Sequence, residues 1–317
     1  MTTVTGPYHR GEREAQLRAG LMEEAEVSGR AIRGTVPPVA AAFLTGQRLL
    51  VAGAADDRGD VWATVLTGPA GFLRARDEHS LSIAARPAPD DPLATVLERP
   101  VHLGMLAIEA ATRRRMRMNG TSRPQDGGLL VDLDQVVANC PKYIQKRTPP
   151  EADAGRPAKA RPPARRSDRL DEGQRRFLSG ADTFFIATAD EHGRADASHR
   201  GGNPGFLQVL SPTRVRWPDY TGNAMFLTLG NLLTNPRAGL VVPDYATGTT
   251  LHLTGAAEIV WDAGDSGGAG PADTGRAIEF TVTGVAELPG TLPAGWSPPA
   301  LSRFNPPVTA GRVPSAV

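Results

Sequence analysis

One block of 35 residues, from Ser198 to Leu232, concentrates the side chains of this sequence that could hold a ligand. It reads S-H-R-G-G-N-P-G-F-L-Q-V-L-S-P-T-R-V-R-W-P-D-Y-T-G-N-A-M-F-L-T-L-G-N-L. A polar cluster, two glycine-rich turns and two short apolar runs lie close together in it, which is more than a packed core requires. The pattern indicates a ligand-binding segment.

The basic residues limit the ways in which this chain could hold a phosphate. Of the 35 lysines and arginines, only Lys142, Lys146 and Lys159 are lysines. The sequence has no G-K-[ST] phosphate loop, and so few lysines leave little room for Schiff-base chemistry. A phosphate would have to be held by arginine, hydroxyl groups or backbone N–H groups.

His199 is the candidate catalytic residue of the block, because a histidine can act as a general acid or base near neutral pH. The alternative is that this single histidine beside an arginine orients a ligand through hydrogen bonds. Cys140 is the one cysteine, and we interpret it as a small buried apolar residue rather than a nucleophile. Without a cysteine pair or an H-x-x-x-H pair, no structural metal is expected.

The chain contains an internal repeat. Shifted by 134 positions, residues 43–73 match residues 177–207 at 11 of 31 positions. With one further residue of offset, Gly104 falls on Gly239, and the segment 116–120 falls on 251–255. Self-similarity over separate blocks predicts a duplicated domain.

Both copies have short apolar runs bounded by glycine, proline or Asx turns, which is typical of strands. We therefore predict a mainly β protein with a few helices, built as two tandem small barrels. The first domain is expected at 1–147 with an N-terminal helix, a Pro/Arg-rich linker at 148–168, and the second domain at 169–317 with a proline-rich tail. Ser167 or Asp168 is expected to cap a helix at 169–178.

Composition favours a small-molecule ligand. The 35 basic and 34 acidic residues nearly balance, so no global field points to nucleic acid or an anionic membrane. No apolar run approaches the roughly 20 residues of a membrane-spanning helix, and the N-terminus lacks the apolar region of a signal peptide. The expectation is a cytoplasmic protein with a small-molecule substrate, and a homodimer is possible through exposed strand edges.

The block S-H-R-G-G-N-P-G-F-L, followed by W-P-D-Y-T-G-N-A-M-F-L-T-L-G-N-L-L-T-N-P-R-A-G-L-V-V-P-D, resembles the FMN-binding split-barrel superfamily, in particular the pyridoxamine 5'-phosphate oxidase-like group. The segments N-C-P-K-Y-I-Q at 139–145 and G-P-Y-H-R-G-E-R-E at 6–14 look like further features of that group. The resemblance implies a six-stranded antiparallel barrel in each copy and a pseudo-dimer, with FMN in the groove between the barrels.

Under that resemblance, each polar or aromatic group of the block takes an expected role toward FMN. Ser198, Arg200 and the amides of Gly201 and Gly202 would hold the phosphate, which suits arginine forks, hydroxyls and N–H groups. The remaining expected contacts are Asn223 and Thr228 to phosphate or ribityl oxygens, Trp217, Phe226 and Leu229 against the ring, and Asn231 at its polar edge. Arg113, Arg114 and Arg115 of the first copy are candidates to enter the same groove.

The function implied is an FMN-dependent oxidoreductase that moves a hydride between flavin and a small organic substrate, with the hydride chemistry supplied by the cofactor. The C-terminal Arg-x-His signature of the true pyridoxamine phosphate oxidases is missing, which argues against vitamin B6 as the substrate. Two alternatives stay open: a non-catalytic flavin- or haem-binding module, and a deazaflavin-dependent reductase.

Overall fold

The structure is a computed structural model, and it describes residues 6–138, 141–150, 161–264, 270 and 272–308. Cys140 and the middle of the expected linker lie outside the described residues. The helices are α1 Arg10–Ala19, α2 Met22–Gly29, α3 Pro38–Thr45, α4 Glu172–Gly180 and α5 Leu227–Thr234, with a 3-10 turn at Val96–Glu98. The strands of the first half are β1 Leu49–Ala55, β2 Val61–Thr67, β3 Leu73–Ala75, β4 Ser80–Ile83, β5 Val101–Glu109, β6 Arg114–Gln125 and β7 Gly128–Ala138. Those of the second half are β8 Arg165–Ser167, β9 Thr183–Ala189, β10 Ala195–Gly201, β11 Gln208–Ser211, β12 Arg214–Tyr220, β13 Arg237–Pro243, β14 Thr250–Val260 and β15 Asp273–Leu288.

Two antiparallel sheets repeat one topology. The first has the strand order β2-β1-β5-β6-β7-β4-β3, and the second has the order β10-β9-β13-β14-β15-β12-β11. Their registers also agree, since Gly104 pairs with Asn119 as Gly239 pairs with Thr254. A register shift follows Asn119 in β6 and Thr254 in β14 at equivalent places. The fold is a tandem pair of split barrels, as expected; we call them the first and the second repeat.

The strand count differs from the six per barrel that the resemblance implied. Each sheet path holds seven strands, because the short β3 and β11 extend the edge, and β8 adds an eighth to the second sheet. β8 comes from the stretch expected to be linker, and it pairs with residues 285–287 of β15. The end of that stretch therefore belongs to the second sheet.

Each repeat has its own apolar core, and a third core lies between the repeats. This third core joins β1, β2 and β5 to β9, β10 and β13. Gly53 and Ala187, which are equivalent positions of the repeat, meet in it. A Cβ on Gly53 would lie 2.3 Å from the Cβ of Ala187. The two sheets thus approach so closely at their pseudo-twofold axis that one of the two residues must be glycine.

Two of the helix predictions are corrected. The N-terminal helix predicted from the sequence is two helices, because Gly20 takes a left-handed conformation (φ 67°) and splits the segment into α1 and α2. Leu17 is 64% exposed, and α1 instead buries a small polar face that contains Gly11 and Glu12. The helix expected at 169–178 begins at Glu172, because Asp171 and Gln174 form a capping box.

The C-terminal segment crosses back to the first repeat. Lys146 and Ala300 form an isolated bridge, and Gln145 accepts a hydrogen bond from the Ser302 N–H at 2.7 Å. The described part of the tail is therefore docked across the segment that follows β7. Within the described ranges, no helix is long and apolar enough to cross a membrane.

Candidate functional site

A cleft of about 400 Å³ lies between the two repeats. The first repeat supplies Arg115 and Arg117 of β6 and the segment Lys142–Tyr143. The second repeat supplies the end of β10, the segment from β12 to α5, and the start of β15. The volume falls in the range of small-molecule sites. Neither repeat could form this cleft alone.

Backbone strain is concentrated around the cleft. Five non-glycine residues in the described part of the chain have positive φ, and Tyr143, Ala224 and Phe226 among them line the cleft, with φ of 66°, 59° and 58°. Such conformations cost on the order of 1–3 kcal/mol each and cluster at functional sites. Phe226 also stands at the N-cap of α5, where no side chain caps the helix.

Arg200 is the cation of the cleft that is best placed to take an anion. Its Nη1 donates to the His199 carbonyl at 3.1 Å, while its Nε is buried without a hydrogen-bond partner among the described residues. It makes no ion pair with any described carboxylate. Burial lowers the pKa of its guanidinium, against the opposing charge of Asp219. A buried N–H group without a partner is costly, so a ligand acceptor there would be favourable.

Hydroxyl groups line the cleft beside Arg200. The Oγ of Ser198 and the Oγ1 of Thr228 are 2.8 Å apart. Arg117 donates to the Ser198 hydroxyl, and its Nε lies 3.0 Å from Asp196. Thr228 stands in the first turn of α5, whose N–H groups have no intrahelical partners and favour negative charge. An arginine, two hydroxyls and a helix N-terminus thus share one end of the cleft.

A buried ion pair supports the apolar wall. The Nη2 of Arg276 lies 3.0 Å from the Oδ2 of Asp219, and both side chains are nearly buried. The guanidinium of Arg276 also lies over the ring of Phe226, 5.3 Å from its centroid. Leu229 lines the same cleft. The pair therefore holds the Phe226 ring in position.

His199 is neutral in this arrangement. Burial, together with the positive charges of Arg115, Arg200 and Arg147, holds its pKa well below the ordinary value. The Nη1 of Arg115 lies 3.1 Å from its Nδ1. Because a guanidinium can only donate, Nδ1 accepts and the ring proton is on Nε2. The geometry suits an orienting hydrogen-bond donor better than a general base, and a catalytic role for His199 stays a prediction.

The structure brings most of the predicted site residues to one place. Those that line the cleft are Ser198, His199, Arg200, Gly201, Asn223, Phe226, Thr228 and Leu229. Gly202 does not line it: a Cβ there would lie 2.5 Å from the Phe206 ring. Trp217 is fully buried in the core of the second repeat, edge-on to Phe184, because strand alternation turns it inward.

Asn231 also lies outside the cleft. Its amide contacts His9 Nε2 and Thr188 Oγ1, each at 3.0 Å. It faces a second cavity on the far side of α5 rather than the polar edge of a ring. Asn231 therefore fixes α5 to the N-terminal segment through its contact with His9.

Of the three arginines expected from the first repeat, only Arg115 enters the cleft. Arg113 donates to the Ile144 carbonyl at 2.9 Å, and Arg114 pairs with Glu109 at the surface. Arg117 was not predicted as a site residue, but it lines the cleft two residues after Arg115 on the same face of β6. The period of two along a strand could have identified it.

The repeat places an equivalent groove on the other side of the molecule, but its polar residues differ. There, His252 takes the position of Arg117, and its Nδ1 contacts the Ala63 carbonyl at 2.8 Å, as Arg117 donates to the Ala197 carbonyl at 3.1 Å. Leu66 takes the position of Arg200. The equivalent groove therefore lacks the two arginines that give the cleft its positive end.

The equivalent groove is also covered by the chain itself. The segment from Arg161 to Arg166 contacts Asp90 three times, through the Arg161 guanidinium, the Ala164 N–H and the Arg166 guanidinium. Arg161 donates to the Pro289 carbonyl as well, at 3.2 Å. Asp90 and Pro289 lie in the segments equivalent to the two walls of the cleft. Residues 161–166, at the end of the linker, thus lie across the segments that border this groove.

Comparison with known proteins agrees with this architecture. Residues 170–278 match the family model of pyridoxamine 5'-phosphate oxidase. The second repeat is a pyridoxamine 5'-phosphate oxidase-like split barrel. The match includes every cleft residue that the second repeat supplies. Among curated protein sequences, none matches this chain.

Solved structures of similar fold are shorter than this chain. A protein of the pyridoxinephosphate oxidase family from Clostridium acetobutylicum is 15% identical; the alignment covers 42% of this chain and 89% of that protein, with a TM-score of 0.25. A FAD-binding protein from Mesorhizobium loti is 11% identical; the alignment covers 39% of this chain and 97% of that protein, with a TM-score of 0.28. The haem storage protein HutZ from Vibrio cholerae is 12% identical; the alignment covers 43% of this chain and 99% of that protein, with a TM-score of 0.24. A fold does not by itself decide the activity of a chain.

Proposed function

We propose that the cleft binds FMN and that the protein is a flavin-dependent oxidoreductase acting on a small organic substrate. The observation that carries the proposal is the positive end of the cleft, where Arg200 has a buried N–H group without a partner beside the Ser198 and Thr228 hydroxyls. A phosphate needs arginine, hydroxyl and amide donors of this kind. The match of residues 170–278 to the oxidase family supports the same ligand class.

The cleft residues fit the two ends of such a ligand. Arg200, Ser198 and Thr228 would hold the phosphate, and Asn223 would contact phosphate or ribityl oxygens. Phe226 and Leu229 would pack against the ring. Bound flavin supplies hydride transfer, while the residues of this chain bind it, orient it and exclude water.

His199 and two tyrosines that line the cleft are the other residues expected to contact the ligand. As a neutral donor fixed by Arg115, His199 would orient a ligand acceptor rather than move a proton. The rings of Tyr143 and Tyr220 lie 5.2 Å apart and give the cleft an aromatic surface for a planar group. No metal is needed for this chemistry, and the described residues hold no cluster of three metal-ligating side chains.

The test is a titration of the purified protein with FMN and with riboflavin, which lacks the phosphate, followed by flavin fluorescence. FMN should bind more tightly than riboflavin. Arg200→Ala should weaken FMN by about 1.5–3 kcal/mol, the value of a hydrogen bond to a charged group, and should leave riboflavin nearly unchanged. Arg214→Ala is the matched control, because Arg214 pairs with Glu279 at the surface.

Three outcomes would change the proposal. Equal affinity for the two flavins would remove the phosphate from the positive end of the cleft. Tight FMN binding without reduction by any donor would favour a binding module, and preference for a deazaflavin would favour a deazaflavin-dependent reductase. Absence of flavin binding would refute the proposal.

A further inference from the structure

A second cavity, of about 240 Å³, lies between the repeats and is separated from the cleft by Leu227, which lines both. We call it the acidic cavity. Its main polar residues are Glu12, His102, Asn119, Asp134, Asp190 and Asp196. They come from α1, from β5 to β7, and from the β9–β10 hairpin, so the acidic cavity also depends on both repeats.

Several hydrogen-bond donors of the acidic cavity are already in use. The Nε2 of His9 lies 3.0 Å from Asn231 Oδ1. Arg194 donates to Asp190 at 2.7 Å. The Nδ1 of His102 accepts from a backbone N–H, so its proton is on Nε2, which lies 2.8 Å from Asp134. The rings of His9 and His102 therefore have no N–H left for a ligand, whereas Arg194 keeps the N–H groups of its two Nη atoms.

Two buried acceptor oxygens of the residues that line the acidic cavity, by contrast, have no hydrogen-bond partner among the described residues. Asn119 is 6% exposed, and its Nδ2 donates to Gln135 at 2.8 Å, which leaves its Oδ1 buried with no partner in the described part of the chain. The Oδ1 of Asp196 lies 3.0 Å from the Nε of Arg117 but accepts no well-aligned hydrogen bond from a described residue. A buried acceptor without a partner destabilises the folded state. A ligand rich in N–H donors would give the Oδ1 of Asn119 a partner.

We propose that the acidic cavity binds a small organic cation that presents N–H donors, an ammonium or a guanidinium group. Three aspartates line the acidic cavity, Asp134, Asp190 and Asp196, against one arginine, Arg194. Glu12 adds a carboxyl group that is protonated at neutral pH. A metal ion fits less well, since no three metal-ligating side chains of the described residues are arranged to hold one. This proposal does not depend on the flavin proposal.

Glu12 makes the binding depend on pH. It is 5% exposed, and burial raises the pKa of its carboxyl to about 8, with the charge of Asp196 raising it further and Arg117 and Arg194 opposing. Asp190, Asp134, His9 and His102 also face this cavity. A bound cation stabilises the ionised carboxylate, so binding at neutral pH releases a proton and becomes tighter as the pH rises through 8.

The experiment is calorimetric titration of the flavin-free full chain at low salt with methylguanidinium and with ethylammonium. Tetramethylammonium, which has the same charge but no N–H donor, is the control ligand. At least one of the two donor cations should bind with one-to-one saturation, and more tightly at pH 9 than at pH 6. Tetramethylammonium should give no saturable heat.

Two variants locate the site. Asn119→Ala should weaken the cation about fivefold or more, the effect of one hydrogen bond of about 1 kcal/mol. Thr254→Ala, at the equivalent position of the second repeat, should leave the affinity unchanged. Glu12→Gln should reduce the difference between pH 6 and pH 9.

The proposal is overturned if neither donor cation binds, or if tetramethylammonium binds as well as they do. It is also overturned if the affinity is the same in Asn119→Ala and in the wild type. If Asn119→Ala does not fold, Glu12→Gln decides, since an unchanged pH dependence in that variant would exclude the cavity.

Discussion

Glu12 gives the molecule a pH-dependent stability that can be measured directly. Its carboxyl is buried between α1 and α5, where its Oε2 accepts from the His9 N–H at 2.7 Å. Desolvation by burial is the largest cause that raises its pKa from 4.5 to about 8. Below pH 4.5 the group is protonated in both the folded and the unfolded chain, and it costs nothing.

Above pH 4.5 the unfolded chain ionises first, so the folded state loses stability as the pH rises. Each pKa unit corresponds to about 1.4 kcal/mol, so the loss is about 3.5 kcal/mol at pH 7 and about 5 kcal/mol above pH 8. Glu12→Gln keeps an acceptor for the His9 N–H and removes the charge. We expect the variant to be within about 1 kcal/mol of the wild type at pH 5 and more stable by about 4–5 kcal/mol at pH 9.

The measurement is urea unfolding of both proteins at pH 5, 7 and 9. Other groups with shifted pKa values, such as His199 and His252, titrate in both proteins and cancel in the difference. Glu14→Gln on the exposed face of α1 is the control, and a surface change of this kind should alter stability by less than about 0.5 kcal/mol. A variant that is no more stable than the wild type at pH 9 would show that Glu12 is not held in a desolvated site.

Three further predictions follow from the packing. Gly53→Ala should lower the melting temperature markedly in a thermal scan, because its Cβ would meet the Cβ of Ala187 at 2.3 Å; Gly180→Ala, with no atom within 4 Å of its Cβ, should be nearly neutral. Asp182→Asn should cost about 3–5 kcal/mol in urea unfolding, because it removes the carboxylate that pairs with the buried Arg147, 2.6 Å away; retained stability would contradict this. Equilibrium dialysis should give one FMN per chain, because the equivalent groove lacks the two arginines and is crossed by residues 161–166, and a ratio of two would refute the asymmetry.

The fold could be predicted largely from the sequence because the repeat and the alternation of apolar residues are local patterns. Thr183–Ala189 and Val61–Thr67 are strands close to where the apolar runs begin and end. The start of α4 was harder to predict from the sequence, because Ser167 and Asp168 are residue types that commonly cap helices and lie close to the observed N-cap, Asp171. What excludes Ser167 is its pairing with β15, which is a tertiary contact.

The residues of the candidate site could be predicted from the sequence only where they lie in one strand or at the start of one helix. Ser198, Arg200 and Thr228 belong to the conspicuous block, and the structure places them together. Trp217 was assigned to the ring from its residue type alone, while the face of β12 that it occupies turns it into the core. Arg117 lies 81 residues from Ser198, and nothing local in the sequence indicates that their side chains meet.

The asymmetry of the two grooves explains why a duplicated chain would keep one site. In a symmetric dimer of barrels, any residue that improves one groove must appear in both. Here Arg117 and Arg200 serve the cleft, while their equivalents, His252 and Leu66, are free to pack. His252 is buried, and burial lowers its pKa, so it contacts the Ala63 carbonyl as a neutral ring. Residues 161–166 can then lie across that groove without competing with a ligand, and their contacts with Asp90 of the first repeat and Pro289 of the second link the two barrels that form the cleft.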